Sequence, residues 1–245
     1  MNIYKKKDTI DKDAIKRMFS TVATRYDFLN HLLSCGIDRY WRWYTTRMVK
    51  VVPRSLILDV AAGTCDLSID ICRRYDKKIK IMATDLSKKM LSIGGNKVHK
   101  AGCADQISCQ MVDAENLPFK ENSFHCVTIA FGIRNVIDRE KALKEFLRVT
   151  KPGGCLICLE FSHLPCVFLD TLYSHYLAFI LPKIASFFQG DYASYKYLSR
   201  SIKEFPDQRQ FSSLISCCGW DMVKYTNLTG GIVAIHYAVK PTVTG

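Results

Sequence analysis

Leu56-Ile57-Leu58-Asp59-Val60-Ala61-Ala62-Gly63-Thr64-Cys65-Asp66 runs from an apolar, strand-like segment through a carboxylate into a chain of small residues. It ends on an acid that opens a helical pattern. In an open α/β sheet such a turn lies at the carboxyl end of a strand, where nucleotide-like ligands bind. Small residues such as Gly63 let the backbone approach a ligand closely, and the next helix offers unpaired N–H groups. Two more carboxylates close later strand-like runs, Asp85 in Met82-Ala-Thr-Asp85 and Asp113 in Gln110-Met-Val-Asp113. Each stands one βα unit after the last, so a doubly wound sheet brings Asp59, Asp85 and Asp113 to one rim. Asp85 is then placed to accept from both ribose hydroxyls of a nucleoside. Asp113, followed by Ala114, is placed beside an adenine, whose exocyclic amine needs an acceptor.

Outward from that loop, strand and helix patterns alternate. Strands are predicted over 55–61, 80–84, 107–111, 125–130 and 154–161, with helices over 66–75, 88–100 and 139–150 between them. Lys151-Pro152-Gly153-Gly154 stops the last of these helices and turns into a strand. Residues 164–206 form an aromatic-rich, mainly helical insertion. A helix over 208–217 and two strands over 220–225 and 232–240, linked through Asn227-Leu-Thr-Gly230-Gly231, complete the pattern. The expected fold is α/β, a doubly wound, mostly parallel seven-stranded sheet. An N-terminal helical arm over 1–50 precedes the main domain over 51–245, with Ile15, Met18, Phe19 and Val22 forming one helix face. Trp41 and Trp43 read as helix packing.

The loop also separates ligand classes. A dinucleotide fold presents G-x-G-x-x-G to a pyrophosphate. Here Asp66 holds the place of the third glycine, and its carboxylate repels a pyrophosphate but tolerates a zwitterionic end, such as the methionine part of S-adenosylmethionine. A structural βα turn without ligand is the alternative.

The balance of 35 Lys and Arg against 23 Asp and Glu gives a formal charge of +12, which favours a polyanionic neighbour, nucleic acid or an anionic membrane surface. The 11 cysteines are scattered, and Met1 to Asp13 lacks a secretory apolar core, so free thiols in a reducing cytoplasm are expected. Cys155-Leu-Ile-Cys158 lies in a strand, where i and i+3 point to opposite faces, so no metal site is expected. The most apolar stretch, Leu164 to Phe188, is broken by Asp170, His175, Pro182 and Lys183 and does not read as a transmembrane helix.

Further segments point to a family. They include Met18-Phe19-Ser20-Thr-Val22-Ala23, Tyr26-Asp27, Asp113-Ala114-Glu115-Asn-Leu117-Pro118-Phe119 and Phe131-Gly132-Ile133-Arg134-Asn135-Val136. Leu159-Glu160-Phe161-Ser162, Ser194-Tyr195-x-Tyr197-Leu198 and Asn227-Leu228-Thr229-Gly230-Gly231 follow. With these the chain resembles, nearly end to end, the menaquinone/ubiquinone biosynthesis C-methyltransferases (the MenG/UbiE family) among class I S-adenosylmethionine-dependent methyltransferases. The family's cofactor positions fall on Thr64, Asp85, Asp113 and Ala114. A position usually Ser falls on Ala130, where only a backbone or packing contact survives, and Gly is usual where this chain has Ala62 and Cys65. A positive φ at Cys65 would cost on the order of 1 kcal/mol and weaken cofactor binding.

The resemblance implies methylation of a ring carbon of a polyprenyl hydroquinol, demethylmenaquinol or the ubiquinol precursor. Arg134, after the fourth strand, is expected beside the sulfonium as a stabiliser of a phenolate, with a structural salt bridge as its alternative. Asn135 is expected to orient a quinol oxygen. For the general base an ordered water, His236 and Tyr26 all stay open. The insertion is either a cap on the core or a greasy lid that takes the quinol at the inner membrane face. No nucleic acid is expected, and a homodimer stays open. An RNA methyltransferase, suggested by the charge, and a non-catalytic scaffold, suggested by Ala62, Cys65 and Ala130, are the rival readings.

Overall fold

In the computed structural model, residues 12–23, 31, 34, 36–75, 79–175 and 192–242 are described. Two helices of the arm come first, α1 (Lys12–Val22) and α2 (Asp38–Met48). The alternating part follows as β1 (Ser55–Val60), α3 (Asp66–Tyr75), β2 (Ile79–Asp85), α4 (Lys88–Lys100), β3 (Ile107–Met111), β4 (Phe124–Ala130), α5 (Arg139–Val149) and β5 (Thr150–Phe161). The insertion contributes α6 (Val167–His175) and α7 (Tyr192–Lys203), and α8 (Gln208–Cys217), β6 (Asp221–Leu228) and β7 (Val233–Val239) close the chain.

The strands form one seven-stranded sheet in the order β3-β2-β1-β4-β5-β7-β6, with β7 antiparallel to both β5 and β6. The order reverses between β1 and β4, so both strand ends open onto the crevice where such sheets bind ligands. Central strands are buried on both faces, as the apolar run Leu56-Ile57-Leu58 requires. One core, around Ile57, Ile81, Ile157 and Ile235, lies under α2 and α3. The other, around Leu58, Val127, Phe146 and Phe211, lies under α5 and α8. Cys155 belongs to the first core and Cys158 to the second, so the CxxC pair does straddle the sheet. All described cysteines are free thiols, and the described residues hold no group of three His, Cys, Asp or Glu side chains able to bind a metal.

Helix starts follow their capping residues. Ser87 and Asp138 accept from the third residue of α4 and α5, and Asp207 with Gln210 forms a capping box on α8. The expected turn at Lys151-Pro152-Gly153-Gly154 lies inside β5. A register shift lets Phe124 pair with Thr150 and Cys126 with Cys155, and the segment between bulges out with Gly153 at φ 74°. Trp41 is buried and donates to Thr229 Oγ1 at 2.7 Å. Trp43 departs from the packing expectation: it is exposed and stacks on Tyr40, with Arg47 over its ring. Most of the stretch 164–188, from 176 on, lies outside the described residues, and no described helix is long and apolar enough to cross a membrane.

Candidate active site

The loop after β1 winds through the left-handed region at alternate residues: Ala61 (φ 51°), Gly63 (φ 56°) and Cys65 (φ 65°). Two of the three carry a Cβ there, at a cost of about 1–2 kcal/mol each. The twist turns the Gly63 N–H toward Asp85, whose Oδ2 accepts it at 2.9 Å, while Oδ1 accepts from Ser87 N at 2.8 Å. Burial pulls the Asp85 carboxyl up and these backbone donors pull it down, with burial the larger. The carboxylate keeps acceptor capacity for the cavity that Asp85 lines.

Asp59 and Asp113 stand at the same rim in different states. Asp59 is fully buried, with Ser68 donating to Oδ2 and Thr128 donating to Oδ1 at 2.7 Å. Burial pushes its carboxyl up to about 6 against the pull of those hydroxyls. Asp113 accepts from Glu115 N at 3.0 Å and from Lys12 Nζ at 2.7 Å, and Lys12 also reaches Glu115 Oε2 at 2.6 Å. Burial raises the Asp113 carboxyl, but Lys12 and the Glu115 amide together hold it below the ordinary range.

Two neighbouring cavities share this rim. The first is floored by Asp85, Asp113 and Ala114 and walled by Phe131 and Asn135, with Ile15 and Phe19 of α1 over it. The second holds Asp59, Gly63, Thr64, Asp66 and Ala130, with Arg42 of α2 opposite. Thr64 Oγ1 accepts from Lys97 Nζ at 3.2 Å, and Lys97 also pairs with Asp66. All seven residues expected to hold a cofactor thus border one or the other cavity. Cys65 has the expected positive φ, but its side chain is buried beside Cys109 (Sγ to Sγ 3.8 Å) and borders neither. A Cβ at Gly94 would meet its sulfur at 2.6 Å, so the thiol is packed under the loop.

The catalytic expectations fare unevenly. Asn135 follows β4 in a 3₁₀ turn, Ile133–Asn135, and lines the first cavity. Arg134 beside it does not. Its side chain is 4% exposed, pairs with Glu160 at the end of β5, donates to Phe131 O at 2.8 Å and lies over the Phe161 ring. Expected at the rim, it is held inside it, because Glu160 is itself buried and needs a cation. His236 is 2% exposed on β7, in T-shaped contact with Phe211, and its Nε2–H donates to Gln208 O at 3.0 Å. Burial lowers its imidazole to about 4, so it is neutral, and it lines neither cavity, which does not place it as the base. Tyr26 lies outside the described residues.

Several residues at the site were not singled out from sequence. Lys12 is distant in sequence from Asp113 and Glu115, and nothing local marks it. Arg42 pairs locally with Asp38 at i,i+4, but its pairing with Asp70 of α3 has no local signal. Glu160 did carry a signal, a carboxylate inside an apolar strand, which demands a buried cation.

The rim fits an adenosyl ligand. Asp85 and Asp113, as carboxylates, offer acceptors for the hydroxyls and amine of an adenosine, while Asp66 is paired with Lys97. Sheet order, switch-point cavity and acidic rim together define a class I methyltransferase, with S-adenosylmethionine as its cofactor. The chain belongs to the ubiE/COQ5 methyltransferase family, whose model matches residues 6–240. It is 42% identical over 228 residues to a ubiquinone/menaquinone biosynthesis C-methyltransferase of Geotalea daltonii, covering 93% of this chain and 97% of the relative. It is 40% identical over 236 residues to its counterpart in Proteus mirabilis, covering 95% and 94%. Among solved structures, an S-adenosylmethionine-dependent methyltransferase of Aquifex aeolicus superposes with a TM-score of 0.60 at 16% identity, covering 81% of this chain and 88% of that one. The [4+2]-cyclase SpnF superposes at 0.71 with 15% identity, covering 95% and 97%. That a cyclase shares the fold means the reaction must be argued from the site.

Proposed function

We propose that the protein transfers the methyl group of S-adenosylmethionine to a ring carbon of a polyprenyl hydroquinol, converting demethylmenaquinol to menaquinol, with the 2-polyprenyl-6-methoxy-1,4-benzoquinol precursor of ubiquinol as a second substrate. The observation that carries this is Asn135. It puts an amide on the wall of the cavity floored by Asp85 and Asp113. The relatives' names support the substrate class.

Bound, S-adenosylmethionine supplies an electrophilic methyl group. Asp85 would hold the ribose, Asp113 and Ala114 would border the adenine, and Gly63, Thr64 and Ala130 would face the methionine end. A quinol hydroxyl has a pKa near 10, so its neutral ring is a modest nucleophile. An amide N–H from Asn135 stabilises the oxyanion and so favours loss of the hydroxyl proton, and it is that loss that pushes electron density onto the adjacent carbon. With His236 in the core, water and Tyr26 stay open as acceptors of the hydroxyl proton. The ring carbon takes the methyl group, S-adenosylhomocysteine is the product that leaves, and rearomatisation releases the proton of the methylated carbon to water. Ile15, Phe19, Phe131 and Val136 wall the reacting carbon and keep it dry. Arg134 acts from behind that wall by fixing the Phe131 carbonyl.

The charge of +12 and the exposed Phe168 and Leu169 on α6 support docking at an anionic membrane surface, where the prenyl tail resides. Flotation with anionic liposomes tests this: we expect co-flotation at low salt, and none would count against it. The substrate is tested by mass spectrometry of lipid quinones in cells lacking the protein. Demethylmenaquinone should accumulate, and an unchanged quinone profile would reject the reading.

A further inference from the structure

Asn135 has two polar ends, and only one of them serves an oxyanion. Its amide nitrogen faces Phe131 O at 3.5 Å, and its Oδ1 accepts from the Tyr197 hydroxyl at 3.1 Å. The Phe131 carbonyl can only accept. It already takes Arg134 Nη1 and sits on a residue with φ 54°, whose N–H bonds to Leu159 O at 2.8 Å. A flipped amide would set carbonyl against carbonyl at Phe131, so the oxygen end must turn to Tyr197. Tyr197 is half-buried on α7 of the insertion and lines neither cavity.

We propose that Tyr197 is a positioning residue for the methyl transfer: by donating to Asn135 Oδ1 it locks the amide so that its second N–H is presented to the quinol oxygen. A donor, not an acceptor, then meets the oxygen, and the oxyanion is the form the site favours. The insertion thereby reaches the reacting end of the substrate through one hydroxyl. Burial raises the Tyr197 phenol above its ordinary range, which keeps it protonated and a donor.

The inference rests on the quinol reading, and its tests separate the two. In Tyr197→Phe, kcat for a soluble demethylated naphthoquinol should fall about tenfold, a fraction of what a lost oxyanion donor costs. The KM values for both substrates should hold within about twofold, as for a contact made mainly in the transition state. Because the quinol would ionise less readily, the acid limb of kcat should move to higher pH. In an Asn135→Ala background the same change should cost nothing further, since Tyr197 acts through Asn135. A wild-type kcat and pH limb in Tyr197→Phe, or a full tenfold loss on top of Asn135→Ala, would overturn the proposal. A readout without substrate is the pair of side-chain amide resonances of Asn135, which should shift and broaden in Tyr197→Phe. Unchanged resonances would overturn it even if the wild type methylated no quinol.

Discussion

The loop after β1 and the turn after β4 meet at the rim, where a Cβ on Gly132 would lie 2.6 Å from Ala61 Cβ. The first turns a backbone donor onto the end of β2: Gly63 N–H clamps Asp85 together with Ser87 N–H, and Asp85 retains acceptor capacity toward the cavity. The second closes its charge on itself, Arg134 into Glu160, and leaves only the neutral Asn135 facing the cavity. A cofactor that brings its own donors is met by a carboxylate. In the proposed reaction, an aromatic ring that must become an anion would be met by an amide and apolar walls.

That contrast breaks first at Glu160. Replacing it by Ala leaves the Arg134 guanidinium buried without its partner, which should cost about 3–5 kcal/mol of stability in a denaturant melt. A loss under about 1 kcal/mol would mean the turn does not depend on the pair. Next comes Asp85→Ala, which should weaken S-adenosylmethionine at least about 100-fold by calorimetry, two charge-assisted hydrogen bonds being lost. Asn135→Ala should leave that affinity within about twofold while abolishing most turnover. Equal losses in both variants would erase the division between the two turns.

A third effect lies away from the rim. Burial depresses the His236 imidazole from 6.5 to about 4. Between those values the unfolded chain binds the extra proton, so this contribution is full above pH 6.5 and fades as pH falls toward 4. His236→Leu should remove about 3 kcal/mol of relative acid sensitivity over that window. Parallel stability curves for the two proteins would place His236 in water after all.

The smallest effect is expected at Cys65. Relief of its left-handed backbone in Cys65→Gly is offset by the loss of a packed sulfur beside Cys109 and Gly94. Stability should move by under about 1 kcal/mol. Because Cys65 borders neither cavity, cofactor affinity should stay within about twofold, where the sequence alone suggested tighter binding. A tenfold gain would show that loop strain reaches the ligand.

The acidic rim was legible because strand ends and βα spacing are local patterns: Asp59, Asp85 and Asp113 each stand at the end of a strand-like run. So were the sheet and its antiparallel closure, down to the opposite faces of Cys155 and Cys158. What escaped was every interaction between distant segments. Arg134 read as a phenolate stabiliser with a salt bridge as the alternative, and the partner stayed unnamed because Glu160 reaches it only through the pairing of β4 with β5. His236 carried the chemistry of a base, and only its place between Phe211 and Tyr225 shows it to be core. Lys12 over Asp113 and Tyr197 behind Asn135 arise where the arm and the insertion fold back onto the rim.

The most direct test of the function follows the methyl group itself. Purified protein is incubated with methyl-labelled S-adenosylmethionine and a short-chain demethylnaphthoquinol kept reduced, and the product is read by NMR. The label should appear on the ring carbon beside a hydroxyl. Label on an oxygen, or none on the quinol while RNA becomes labelled, would contradict the assignment.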